Sequence, residues 1–230
     1  MAKALQALGV SVGDNFLDPN EWNPTGYFEH PDIVRLNDQL LGLVGKRWDS
    51  LALPPWPEWE PLTQPYQANA LEILERDFGH EVMFGIKDPR ATRILPFWQS
   101  VFERAGAQDR YVISLRNPLS VARSLAARDG FTPERSYLLW VQHMFAAVRD
   151  TDGKPRIVVD YDALIAEPRA QLERIAAMLD MPLTDQIRSA ITAYADNFVS
   201  HSLRRSVHDP KAVRADPRAA SSSGRPTICC

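Results

Sequence analysis

In the stretch "RYVISLRNPLSVARSLAARDG", Arg110 to Gly130, an apolar run from Tyr111 to Leu115 stops at Arg116-Asn117-Pro118 and a helical pattern begins at once. Asn is a favoured N-cap and Pro a favoured first helical residue, so the helix is expected to start here with its free N–H groups facing the end of the strand. Such a helix end attracts an anion, and a guanidinium adds two parallel donors that suit a phosphate. Ser124, eight positions after Arg116, supplies a hydroxyl about two turns into the helix. The same residues also permit a plainer outcome, with Arg116 paired to an acid and Ser124 on the surface. Spacing alone leaves the two open.

The elements that must position these groups are legible as alternating patterns. Three short apolar runs, in "EVMFGIKDPR", in the stretch before Arg116 and in "PRIVVDYDAL", are separated by helical segments. Strands alternating with helices predict an α/β fold with a parallel sheet covered on both faces. Ligands in such folds bind beyond the carboxyl ends of the strands. That rule singles out Lys87-Asp88-Pro89-Arg90, Arg116-Asn117-Pro118 and Asp160-Tyr161-Asp162. Helices are predicted up to Gly9, from Pro31 with Ile33, Leu36, Leu40 and Leu43 on one face, and over "YQANALEILERDFG" with Gly79 as its C-cap. Others are predicted over "ATRILPFWQSVFERAG", from Pro133 to about Val148, and over "EPRAQLERIAAMLDM". "LALPPWPEWEPLTQP" carries too many prolines for regular structure and reads as a packed surface loop. Its Trp56 and Trp59, with Trp48 just before, either line an acceptor pocket or pack beneath that loop.

The bulk properties narrow the class. The 230 residues suffice for one good core or at most two small domains, and 45% hydrophobic with 24% charged residues is ordinary for a globular chain. A net charge of −3 gives no support to duplex nucleic-acid binding or to a polybasic membrane contact. No apolar run approaches the ~18 residues of a transmembrane helix, and "MAKALQALGVSVG" lacks a signal-peptide core. The only cysteines are Cys229 and Cys230, so the core fits a reducing compartment, and a cytoplasmic location is expected. A terminal Cys-Cys also serves as a prenylation signal in some small GTPases; an unstructured end is the plainer reading. After about His201 the sequence turns basic and then decays into a segment expected to be disordered.

"VISLRNPLSVARSLAARDG" resembles the 3′-phosphate-binding segment of sulfotransferases that use 3′-phosphoadenosine-5′-phosphosulfate (PAPS). There an Arg-x-Pro ends a strand and a helix serine follows eight residues after the arginine, the spacing of Arg116 and Ser124. "GIKDPRATRILPFW" is similar to the Lys-Asp-Pro-Arg segment of bacterial members. "FTPERSYLLWVQHMFAAVRD" and "RIVVDYDALIAEPRAQLERIAAMLDM" are similar to their later elements. "NPTGYFEHPDIVRLNDQLL" is similar to a loop whose glutamate sits near the acceptor, and Glu29 is the matching position. The resemblance covers residues 1 to about 200. It implies a P-loop-NTPase-like three-layer α/β/α fold over residues 1–203, followed by a basic, then disordered, tail over 204–230. It further implies sulfuryl transfer from PAPS to a hydroxyl or amine of a small-molecule, lipid or glycan acceptor, without a metal. Glu29 would be the general base, Lys87 a cation at the transferring group and Arg90 its helper, with Arg116 and Ser124 on the 3′-phosphate and Arg204 and Arg205 in a basic loop over the nucleotide. The plainer alternatives are Glu29 capping the helix that follows, Lys87 and Arg90 pairing with Asp88 and nearby acids, and Arg204 and Arg205 in a solvated tail.

The family also has a strand running into a glycine- and serine/threonine-rich loop that wraps the 5′-phosphosulfate, and no Gly-x-x-x-x-Gly-Lys-Ser/Thr or similar cradle occurs in the 230 residues. "AKALQALGV" resembles the helix just downstream of that loop. The expectation is therefore a fold lacking its first strand, through a truncated frame, a wrongly chosen start or degeneration. Weak or no PAPS-dependent activity, an exposed apolar groove and poor solubility would follow. Two alternatives remain: a small-molecule kinase on the same sheet plan, and a non-catalytic nucleotide-binding or interaction module.

Overall fold

The computed structural model describes residues 1–198 apart from Thr25 and Pro57. The architecture is mixed α/β and mostly helical. In chain order it runs through α1 (Ala2–Ala7), α2 (Pro31–Gly42), α3 (Glu60–Thr63), α4 (Gln67–Phe78) and α5 (Leu95–Arg104), then β1 (Tyr111–Leu115), α6 (Pro118–Asp129), α7 (Pro133–Asp150) and β2 (Arg156–Asp160), and ends in α8 (Tyr161–Ala166), α9 (Pro168–Met178) and α10 (Asp185–Ala193). Among the described residues no helix is long and apolar enough to cross a membrane.

β1 and β2 pair in parallel, with Tyr111 opposite Arg156 and Leu115 opposite Asp160. The α6–α7 pair provides the long crossover that a parallel pairing requires. Because the two strands end together, Arg116 and Tyr161 leave the sheet side by side.

The third expected strand is not part of this sheet. Phe84 forms a single parallel bridge with Ser11: the Ser11 N–H donates to the Met83 carbonyl (3.0 Å) and the Gly85 N–H to the Ser11 carbonyl (2.7 Å). The reason is the length of the partner, since Gly13 takes a positive φ of 77° directly after Val12 and turns the chain away. Close approach matters as well, because a Cβ on Gly85 would stand 3.0 Å from Val10 Cγ1.

Two hydrophobic cores form. Ile157 and Val159 of β2 pack with Leu164, Leu172 and Ile175 of α8–α9 and with Ala4 and Leu8 near the N-terminus. The second core joins Ile33, Leu36 and Leu40 of α2 with Ile73 and Phe78 of α4 and Phe97, Trp98 and Val101 of α5. The spacings of three and four along each helix place these side chains on one stripe. Trp59 is buried in this second core, with Trp56 edge-on to it at 5.8 Å, so two of the three loop tryptophans are packing residues. Trp48 instead stacks on Phe131 at 5.9 Å, under the Arg128 guanidinium. Gly79 is the C-cap of α4, as the sequence suggested; its φ is −61°, and a Cβ there would lie 2.5 Å from the Glu75 carbonyl.

Inside the second core runs a polar chain. Trp98 Nε1 donates to Asn37 Oδ1 (2.8 Å), and Asn37 Nδ2 donates to Asp88 Oδ2 (2.8 Å). Asp88 Oδ1 accepts the Arg90 N–H (2.9 Å) and so caps a 3-10 turn over Pro89–Ile94. Replacing fully buried Asn37 by Ala strands a donor and a carboxylate at once. Denaturant titration of Asn37→Ala is expected to show a loss of about 3 kcal/mol, against about 1 kcal/mol for Trp98→Phe.

Candidate functional site

Glu29 reaches its place through a strained backbone. Phe28 has a φ of 53°, a left-handed conformation that a bulky residue adopts only under constraint. Its ring is held edge-on to Phe16 at 5.4 Å, with the Lys3 ammonium 5.2 Å from the ring centre, and the Glu29 carbonyl accepts the Leu17 N–H at 2.9 Å. The Glu29 side chain is thereby turned inward and is 8% exposed. It does not cap α2: His30 is the N-cap residue there, without a side-chain cap bond.

The Glu29 carboxylate is instead met by Lys87 Nζ in a short ion pair on Oε1 and by Arg90 Nη1 at 3.6 Å from Oε2. Arg90 is itself anchored by Asp88 (3.1 Å) and Asp38 (2.7 Å). Burial works against the Arg90 charge, yet the two carboxylates outweigh it and hold its pKa above the ordinary value. The Met1 amine is pushed down to about 6, first by burial and then by the Lys87 charge. A site is therefore built in which one carboxylate faces two cations, and a third positive group is disfavoured beside Lys87. Lys87 is the movable member, its side chain 40% exposed.

The β1–α6 junction matches its sequence reading closely. Asn117 Oδ1 accepts the Leu119 N–H (3.0 Å), Pro118 opens α6, and Gly130 closes it with a left-handed φ of 68°. The Arg116 guanidinium lies 5.3 Å from the centre of the Tyr161 ring, and its carbonyl accepts Trp140 Nε1 at 2.9 Å. Burial raises the Tyr161 pKa, opposed by the Arg116 charge, so the ring stays a neutral platform. Ser124 is exposed on α6. It stands six residues beyond Pro118, about 9 Å along the axis, so an anion touching Ser124 rests on the flank of α6.

Three of the predicted residues, Glu29, Lys87 and Arg90, are thus in one cluster, and Arg116 and Ser124 share the β1–α6 unit. Arg204 and Arg205 lie outside the described residues. Asp160 is a helix cap, accepting the Ala163 N–H at 2.9 Å. Arg90 pairs with three acids, Asp88, Asp38 and Glu29. The residues that sequence reasoning missed are the supports Asp38, Phe28, Trp140 and, as the platform for Arg116, Tyr161. None of them carries a motif. A cavity of about 700 Å³ at the amino ends of the strands, lined by Asp109, Arg110, Lys154 and Pro155 among others, contains none of these residues. Its Lys154 is bonded to Asp109 at 3.0 Å.

No family model, no curated protein and no solved structure matches this chain.

The cap at Asn117 fixes where α6 begins and hence where Arg116 points. Asn117→Ala is expected to lower stability by about 1 kcal/mol, with Asn117→Asp close to neutral, as measured by urea unfolding.

Proposed function

We propose that the protein is a sulfotransferase-type enzyme of P-loop-NTPase-like architecture that takes the sulfuryl group from PAPS to a hydroxyl or amine acceptor. The observation that carries this reading is the meeting of Glu29 with Lys87 and Arg90, residues far apart in sequence. The Arg116–Ser124 pair on β1–α6 supports it through the resemblance described above.

In this reading the acceptor oxygen or nitrogen attacks sulfur as the bond between sulfur and the bridging phosphate oxygen breaks. Adenosine 3′,5′-bisphosphate leaves with the electron pair. Glu29 takes the acceptor proton, while Lys87 moves from Glu29 to the charge that develops on the bridging oxygen. Arg90, tied to Asp88 and Asp38, stays behind and keeps Glu29 oriented. Arg116, beside the Tyr161 ring, and Ser124 hold the 3′-phosphate and thereby fix the nucleotide. Since no glycine-rich phosphate loop occurs in the 230 residues, nucleotide binding is the first readout and turnover the second.

Calorimetry with adenosine 3′,5′-bisphosphate is expected to show binding that weakens at least ~10-fold in Arg116→Ala, while 5′-AMP binds poorly to both proteins. Equal affinity for the two nucleotides, or no effect of the substitution, contradicts the reading. Where transfer is measurable, Glu29→Gln is expected to lower its rate ~10²–10⁴-fold with nucleotide affinity retained.

A further inference from the structure

Next to Glu29 the chain builds another cluster, which the proposed transfer chemistry does not use. His30, Asp32 and Asp77 each present one ligand atom, and these atoms lie within 4.8 Å of one another. We propose that His30, Asp32 and Asp77 form a binding site for a divalent transition-metal cation, of which zinc best suits the mixed imidazole and carboxylate donors. The inference stands independently of the sulfuryl-transfer reading.

The imidazole is the telling member. His30 is 5% exposed, and neither ring nitrogen makes an aligned hydrogen bond, although Nε2 stands 3.1 Å from Asp77 Oδ2. A buried polar ring whose nitrogens lack aligned hydrogen bonds is costly, and such rings call for a ligand or a functional reason. Zinc bonds of about 2.0–2.2 Å in tetrahedral geometry place neighbouring ligand atoms about 3.3–3.5 Å apart. The His30–Asp77 pair already has nearly that spacing. Asp32 closes the remainder by side-chain rotation, and water takes the fourth position.

The backbone fixes two of the three groups. His30 is the N-cap residue of α2 and Asp32 lies in the first turn of that helix. Asp77 lies in the last turn of α4, whose carbonyl end favours a cation. Both carboxylates already face one positive group, because Arg76 Nη2 bonds Asp32 Oδ2 at 2.6 Å and also reaches Asp77. Arg35 holds the other oxygen of Asp32. The Arg76 side chain is 51% exposed, and exposed ion pairs are weak, so a cation displaces it readily. Arg76 is then a competitor at the site. His30 Nδ1 has no acceptor to lock the ring, so micromolar rather than nanomolar affinity is expected.

The test is a zinc titration of the full chain by calorimetry, with Cys229 and Cys230 replaced by Ser so that thiols do not contribute. One saturable equivalent is expected, weakened at least ~10-fold by His30→Gln and by Asp77→Asn. Should His30→Gln fail to fold, Asp77→Asn, whose side chain is partly exposed, still decides the matter. Arg76→Gln separates a cation site from a structural ion-pair cluster: removing the competitor is expected to tighten zinc binding several-fold. The absence of a saturable equivalent, affinity unchanged in Asp77→Asn, or weaker binding in Arg76→Gln overturns the proposal.

Discussion

A carboxylate with no exposed side-chain surface, Asp88, sets the terms for the structure around it. Taking that charge out of water is tolerable only with its acceptor positions filled, and they are filled from two directions. From the core side, Asn37 donates to it and is itself fixed by the Trp98 indole. From the site side, the backbone and guanidinium of Arg90 donate to it. The packing of α2 against α5 is thereby transmitted to Arg90, and through Arg90 to Glu29. Pro89 continues the same logic, opening the 3-10 turn that Asp88 caps. The position of Glu29's partners is therefore a property of the core as much as of the loop in which Glu29 sits.

The second organising constraint is the register of the two strands. Pairing Leu115 with Asp160 makes the next residues neighbours, and the Arg116 guanidinium lies over the half-buried Tyr161 ring. Trp140 of α7 then holds the Arg116 carbonyl, so the crossover helix contributes to aiming the arginine. Glu29 and Arg116 are thus positioned by different means, a polar network in one case and a sheet register in the other.

Much of this was readable where the determinants are local. Asn117-Pro118 announced α6, and helical spacing announced α2, α4 and α7, because caps and stripes act within a few residues. The apolar run ending at Lys87 looked like a third strand because periodicity cannot reveal that its partner is cut short by Gly13. Gly79 was legible as the cap of α4, whereas the Glu75 carbonyl that excludes a Cβ there was not. Contacts such as Arg90 to Asp38, 52 residues apart, and the approach of His30 to Asp77 leave no local trace. Glu29 could be nominated only through resemblance and Lys87 also by its place at the end of an apolar run; nothing in their spacing brings them together, and the fold does so.

The most direct measurement of the central claim is a crystal structure of the chain with adenosine 3′,5′-bisphosphate. The account predicts the 3′-phosphate on the flank of α6, within hydrogen-bond distance of Arg116 and Ser124, with Arg90 still bound to Asp88. A nucleotide seated elsewhere, with Arg116 unchanged on Tyr161 and no contact to the phosphate, would contradict it.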